Sequence, residues 1–420
     1  MNACGVKRIQ AFENIGDQFF NQIIWVAIFT IALMSPLFPA FNLPSGTYMS
    51  LLTFLIAISG VFIVAKGYVL RHSVLMFMLM LAFFAWMTLG LAWTPAPEYG
   101  MSKLLTFVLR SLLPAAALLL LVSGEAYWRK ARLAFVFLSI VSAIPAILQL
   151  GDLGVWDRFS LGGNPIWYGR MLALAALCAG TFAYETSFLC QPLCRRASNL
   201  AIYLLLTIIF SLAVLSSGSR GPFWLLIGTL LIQAILALRT YKWHMQERMS
   251  AIAIAGIVII FFLSIFGDLA AVQHGPADRI MSLLHDPLDT SSIGRTERQI
   301  TAWNAIKSAP IMGYGIGASG IFLAGTDDRA YAHNLFLEIW LESGIIGLSL
   351  FLVIQGWTLR ILYSWLEDRK IYAISLAPMW LYTFGNALVS GDLGANYEIW
   401  VLVAVIIAMA YDPTKQSKTE

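Results

Sequence analysis

The chain has 420 residues, 59% of them hydrophobic and 12% charged, with a formal net charge of +4 and a mean hydropathy of +0.76. Soluble domains carry roughly 25% charged residues. The composition therefore excludes a soluble globular enzyme, a disordered chain and a nucleic-acid binder, and leaves a polytopic membrane protein.

In chain order, the N-terminal MNACGVKRIQAFENIGDQFF lacks a short apolar core followed by a small-residue cleavage site. It reads as a cytoplasmic lead-in and not as a signal peptide. Apolar runs of the length that crosses a bilayer, about 20 residues, fall near 23–42, 46–65, 74–93, 104–122, 131–150 and 167–187. Six more follow near 199–216, 222–238, 250–267, 333–356, 371–388 and 397–411. No β-barrel alternation is present, so the expected fold is all-α, with about twelve transmembrane helices in a single membrane domain over residues 1–420. Cys4, Cys178, Cys190 and Cys194 form no convincing disulfide framework, and Cys190 and Cys194 have no nearby His or Cys to share a metal. They read as free thiols.

With the N-terminus inside, seventeen Lys and Arg fall on the cytoplasmic side. Four (Lys103, Arg158, Arg170, Arg220) fall in short loops or span ends opposite, five in one long loop, and Arg110 lies within a span. This asymmetry places both termini in the cytoplasm. The long loop, residues 268–332, is then external and is the one sizeable extramembrane segment. ADRIMSLLHD reads as a short helix in it. GRTERQITAWNAIKSAP reads as a longer one, with Ile300, Trp303 and Ile306 as its apolar stripe and Pro310 as its stop. No fixed-period repeat and no inverted pair of broken helices is visible, which argues against a transporter.

The external arginines are the candidates for chemistry. Arg220 sits in SSGSRGPFW, where Pro222 suits the first helical position and Gly218–Gly221 offers backbone N–H groups at a helix N-terminus. Such a place favours an anion such as a diphosphate; the alternative is a turn arginine facing lipid headgroups. Arg295 and Arg298 lie three apart on one helix face, where two cations repel unless an anion or Glu297 relieves them. Arg158 and Arg170 flank the GGNPIWYG turn. His333, at the head of AHNLFLEIWLESGIIGL, is the candidate general base, kept neutral by nearby arginines, with His274 and His285 as competitors. His72 and His244 are on the wrong side. Gly315-Ile-Gly317-Ala-Ser-Gly320 matches a dinucleotide fingerprint in form only, since no strand precedes it. Adjacent Asp327 and Asp328 suit a solvated turn better than a metal. No metal site and no cofactor are expected.

Four segments in this order, RFSLGGNPIWYGR, SSGSRGPFW, SIGRTERQITAWNAIKSAPIMGYGIG and AHNLFLEIWLESGIIGL, resemble the O-antigen ligase/polymerase superfamily of bacterial envelope proteins. The resemblance covers residues 150–350 well and the whole chain in span count. It implies a GT-C-like glycosyltransferase with one dominant periplasmic loop, in the bacterial inner membrane. Its donor would be O-antigen on undecaprenyl diphosphate and its acceptor the lipid A–core oligosaccharide, with membrane lipids around it and no nucleic acid. The family's functional arginines and histidine map onto Arg220, Arg295 and His333. Many relatives place the loop arginine about four residues before the Trp, whereas here Arg295 is eight and Arg298 five before Trp303, so either can inherit the role. The resemblance further implies inversion at the anomeric carbon, with His333 as base and Arg220, Arg295, Arg298, Arg158 and Arg170 as diphosphate clamps in place of a metal. Polymerases of the superfamily usually carry two large arginine-bearing loops and only one is seen, which favours a ligase over a polymerase, a pilin oligosaccharyltransferase or a lipid transporter.

The charge asymmetry is tested by cysteine labelling. A cysteine at Thr326 should react with a membrane-impermeant thiol reagent in intact spheroplasts, and one at Tyr241 should not. Labelling only at Tyr241, or at both, would overturn the topology.

Overall fold

Inside a bilayer no water satisfies a backbone N–H or C=O, so a spanning segment closes its own hydrogen bonds as a helix. The computed structural model of the chain describes residues 15–41, 46–66, 71–121, 123–150, 157–188, 193–240 and 290–410, and among them there are helices and turns but no strand. The helices are α1 (Ile15–Leu33), α2 (Gly46–Lys66), α3 (Arg71–Leu89), α4 (Pro97–Phe107), α5 (Leu113–Leu120), α6 (Glu125–Leu148) and α7 (Pro165–Phe188). They continue as α8 (Leu193–Ser216), α9 (Arg220–Thr240), α10 (Thr290–Ile306), α11 (Ser319–Ala324), α12 (Leu335–Glu367), α13 (Ala373–Val389) and α14 (Tyr397–Ala410). A π-helical turn, Val108–Leu112, joins α4 and α5 into one span. Nine spans among the described residues are long and apolar enough to cross a membrane, and α13 and α14 are shorter apolar helices. This is a polytopic all-α membrane protein. The expected span at 250–267, the ADRIMSLLHD helix, His244, His274 and His285 lie outside the described residues.

Two helices form the centre. In α7 the run Met171–Ala179 is fully enclosed, and its many small residues (Ala173, Ala175, Ala176, Ala179) let neighbouring backbones approach closely. In α14 every residue from Tyr397 to Met409 is buried. The outer helices instead turn apolar side chains outward, among them Phe54, Val61, Val64, Ile202 and Leu205. That pattern suits hydrocarbon as the surrounding solvent.

Some basic residues do not sit where loop counting puts them. α4 starts at Pro97, seven residues before the expected start of that span, because proline is pre-set for a helix's first turn and Asp327 caps it from the long loop. The Asp327 carboxylate accepts from the N–H groups of Glu98 (3.0 Å) and Tyr99 (2.9 Å), so it is a helix cap and not a solvated turn. Lys103 thereby moves from a loop end into the bundle. Arg170, inside α7, and Arg132, inside α6, are both 2% exposed, and Arg132 pairs with Glu185 at 2.7 Å.

Lys103 is the centre of a buried ionic cluster. Its Nζ donates to Glu338 Oε1 and to both oxygens of Glu342, each of these last two at 2.8 Å. Glu342 also accepts from Ser319 Oγ (2.6 Å), and Glu338 accepts from the Leu393 N–H (3.1 Å). One cluster thus ties α4, α11, α12 and the α13–α14 connection together. Beside it, α12 breaks at Gly344 (φ 64°) and takes in the loop 310–315 as a backbone partner. Tyr314 N donates to Leu341 O (2.9 Å), Gly315 N to Glu342 O (2.8 Å) and Ile345 N to Pro310 O (2.9 Å). A Cβ at Gly344 would collide with the Ile311 carbonyl, and one at Gly315 (φ 91°) with the Gly90 carbonyl. The glycine run that imitates a dinucleotide fingerprint is a close-packing device.

Substituting Lys103 by Met should leave two carboxylates buried without their cation and destabilise the fold by about 3–5 kcal/mol. The measurement is thermal unfolding of the purified protein in detergent. A midpoint within error of the parent's would show that the cluster does not hold the bundle.

Candidate functional site

The site is built from four segments that the helix ends bring together. The α8–α9 turn, Ser216–Ser219, closes on itself through Ser217 N to Val214 O (3.2 Å) and Gly218 N to Leu215 O (2.9 Å), with Gly218 at φ 57°. α9 begins at Arg220, so Pro222 is its third residue and not its first as the sequence suggests. The segment before α7 lies along this turn. Phe159 N donates to Ser216 O (3.1 Å), and Arg158 donates to Ser217 O (3.3 Å) and Ser219 Oγ (2.8 Å).

A pocket opens there, lined by Arg158, Ser219, Arg220, Arg295, Ile166 and Ser390, with Gly218, Gly221, Pro222 and Val389 completing the wall. Three guanidinium-bearing residues from three separate segments line it, and among the described residues no carboxylate does. Arg295 comes from α10, the helix expected from GRTERQITAWNAIKSAP. That helix ends at Ile306, four residues before Pro310, and its inner side is Ala302 and Ile306, whereas Ile300 is 55% and Trp303 42% exposed. The expected stripe is therefore right only at Ile306, because small Ala302 allows the closer approach. Trp303 instead packs edge-on against Trp340.

His333 lies just outside α12. Asn334 is the cap of that helix and accepts from the N–H groups of Phe336 (3.0 Å) and Leu337 (3.2 Å), which leaves His333 before the helix and not in it. Its backbone is left-handed (φ 55°), a conformation a non-glycine residue adopts at an energetic cost and that clusters at functional sites. Nε2 lies 3.5 Å from Arg298 Nη1, and Nδ1 is buried with no hydrogen-bond partner among the described residues. A guanidinium only donates, so this contact makes Nε2 the acceptor nitrogen. Partial burial, then Arg295, then Arg298, lower the His333 pKa to about 4. The imidazole is therefore neutral across the physiological range, the form a base requires.

The structure thus gathers Arg158, Arg220 and Arg295 in one pocket and sets Arg298 against His333. Arg170 stands apart. Its guanidinium faces the α13–α14 connection, donating to Asn396 Oδ1 and Ser390 O (3.0 Å each), with Glu398 at 3.8 Å. It does not line the pocket but braces the wall that contains Ser390. Among the described residues no three His, Cys, Asp or Glu side chains converge as a metal site. Sequence reasoning missed the supporting acids. Glu338 and Glu342 are spaced i, i+4 in an otherwise apolar helix, a spacing that puts both on one face and could have flagged them. Asp392, which binds Arg329 (2.6 Å) and accepts from Tyr99 Oη (3.2 Å), carries no such signal.

Residues 205–352 match the family described as O-Antigen ligase. The matched stretch includes Arg220, Arg295, Arg298 and His333, while Arg158 and Arg170 precede it. The chain is 28% identical over 179 residues to the O-antigen ligase of Salmonella typhimurium, covering 40% of this chain and 41% of that protein. It is 34% identical over 110 residues to a protein of Rickettsia conorii named as a polysaccharide ligase, covering 23% and 25% of the two chains. The alignments thus span well under half the length of either curated relative. The matched stretch, with the ordered segments around Arg220, Arg295 and His333, is thus similar to the O-antigen ligase family.

Proposed function

We propose that this chain is an O-antigen ligase of lipopolysaccharide biosynthesis, a GT-C-like glycosyltransferase acting at the periplasmic face of the bacterial inner membrane. It would be one membrane domain with both termini cytoplasmic and residues 268–332 as its periplasmic loop. The donor is O-antigen on undecaprenyl diphosphate, and the acceptor is the lipid A–core oligosaccharide. The observation that carries this reading is the pairing of two features. Arg158, Arg220 and Arg295 converge from three segments on one pocket, and a neutral, half-buried His333 lies within the field of Arg295 and Arg298.

Each part has a chemical task. Transfer from a polyprenyl diphosphate develops negative charge on the leaving group. Arginines in a pocket partly closed to water stabilise such charge strongly, because their geometry is fixed beforehand and the guanidinium fork fits phosphate oxygens. His333 Nε2, once the acceptor hydroxyl displaces its 3.5 Å contact with Arg298, takes the proton of that hydroxyl as its oxygen attacks the anomeric carbon. The diphosphate leaves from the opposite face, and the configuration inverts. Arg298 keeps the imidazole unprotonated, and Arg170 fixes the wall.

Purified protein given lipid A–core and loaded carrier should form the joined product, resolved on a gel, and should do so in excess EDTA. Extension of carrier-linked chains without joining would mark a polymerase, and turnover restored only by Mg²⁺ or Mn²⁺ would sink the arginine account. His333→Ala should lower turnover by about 10²–10⁴ with donor binding little changed, the range for loss of a general base. Arg220→Ala should weaken donor binding as well, and Arg220→Lys should recover only part, since an ammonium makes no bidentate contact. Near-normal ligation by His333→Ala would show that the base lies elsewhere.

The pH dependence has a definite sign. A base is active when unprotonated, so activity falls as pH drops through its pKa. With that pKa near 4, the rate should show no acid limb down to about pH 5. Arg298→Gln removes a cation that disfavours protonation, so the acid limb should move to higher pH. An unchanged limb would separate Arg298 from the base.

A further inference from the structure

Arg110 is not used by the chemistry above, and it is the residue that fits its surroundings least. It occupies the π turn between α4 and α5, inside a span, where a charge is costly and needs a reason. Among the described residues it has no ion pair, and its Nε is buried without a hydrogen-bond partner. Its guanidinium lies instead against two rings, 5.7 Å from the centroid of Tyr48 and 5.2 Å from that of Trp167. π turns widen a helix and recur at functional sites.

The same Trp167 has a second cation beside it. The Arg329 guanidinium is 5.9 Å from the Trp167 ring and 5.4 Å from the Tyr331 ring, and Asp392 pins it through Nε at 2.6 Å. The Tyr331 ring in turn lies 4.5 Å from the imidazole of His333. Trp167 follows Ile166, a wall residue of the arginine pocket. A row of half-buried groups, Arg110, Trp167, Arg329, Tyr331, therefore runs up to the proposed base. Asp392 already neutralises Arg329, whereas Arg110 makes no ion pair among the described residues and shares the field of Glu398 with Arg170, which lies nearer to it.

We propose that this row is an acceptor subsite for a sugar that carries a phosphate or carboxylate. Trp167 and Tyr331 take the apolar C–H face of the ring, Arg110 takes the anionic substituent, and Arg329 spaces the two aromatic groups. The subsite rests on the transferase reading above, in which the donor's diphosphate occupies the pocket of Arg158, Arg220 and Arg295. The row that reaches His333 through Tyr331 is then left for the attacking partner.

The test measures binding of lipid A–core oligosaccharide, before and after phosphatase treatment, to the full chain in zwitterionic-lipid nanodiscs, alongside acceptor titration of the ligation rate. Arg110→Gln should weaken binding of the phosphorylated acceptor, and raise its KM, by about tenfold or more, as loss of a charge-assisted contact does. It should bind the dephosphorylated acceptor as the parent does, and donor affinity should be unchanged. Arg110→Lys should recover part of the loss, and Trp167→Phe should retain more binding than Trp167→Leu with either acceptor, which separates a stacking role from misfolding. A fall in donor affinity, or equal loss with both acceptors, would overturn the subsite. So would abolition of the difference by phosphatidylglycerol in the nanodisc, which would mark a lipid-headgroup site. Charge-dependent acceptor binding by a protein that joins nothing would leave the subsite standing and remove the ligase reading. Ligation with an unchanged acceptor KM in Arg110→Gln would do the reverse.

Discussion

The buried contact of Lys103 with Glu338 and Glu342 is what the rest of the site depends on. Two carboxylates and one ammonium are taken out of water together, a step that is tolerable only if nearly every remaining lone pair is met. Ser319 Oγ and the Leu393 N–H meet two of those needs, and each belongs to a different piece of chain. The desolvated charges therefore act as a position lock. They cannot be satisfied unless α4, α11, α12 and the α13–α14 connection arrive in one arrangement. Glu338 is one turn into α12, directly after the Asn334 cap, so that lock also fixes the strap on which His333 sits.

From this lock two sets of positive charge diverge. One set (Arg158, Arg220, Arg295) lines the pocket, and the other (Arg132, Arg170, Arg329) is matched to Glu185, Glu398 and Asp392 in the bundle. The second set braces the bundle, and the first is the set we propose to meet the donor's diphosphate. The pairing of Arg170 is the clearest case. It spends its hydrogen bonds on Asn386, Ser390, Ala395 and Asn396, and so the wall behind the pocket is held by a charge that the pocket itself does not use.

Much of this was legible in the sequence, and the failures have physical causes. The spans are readable because twenty apolar residues have few other uses, and Arg220 and His333 are readable because each sits at a helix end. The count of Lys and Arg misplaced Lys103 and Arg170 because it treats every cation as a surface group, while a cation with a buried acid is hidden from any one-dimensional count. The glycines at 313, 315 and 317 were equally illegible, since their reason lies in backbone atoms of residues 90, 100 and 342, far away in the chain. The α10 stripe failed at Ile300 because periodicity marks which residues share a helix face and not how closely that face is covered, and Ile300 stays 55% exposed.

The break at Gly344 has a mechanical meaning. It divides α12 into a piece of nine residues, Leu335 to Ser343, and one of about two dozen, long enough by itself to cross roughly 30 Å of hydrocarbon. The short piece is a rigid arm about 14 Å long, with the imidazole at its tip and its pivot at the break. A rotation of about ten degrees about that pivot would carry the tip roughly 2 Å, and displacements of about 1 Å already cost a hundredfold in rate. Were this arm to tilt with the lipid around it, the alignment of the proposed base would drift with every change in bilayer thickness. Because the pivot is clasped by the loop at 310–315 and the arm by Lys103, the position of the arm is referred to the protein interior and not to the surrounding lipid.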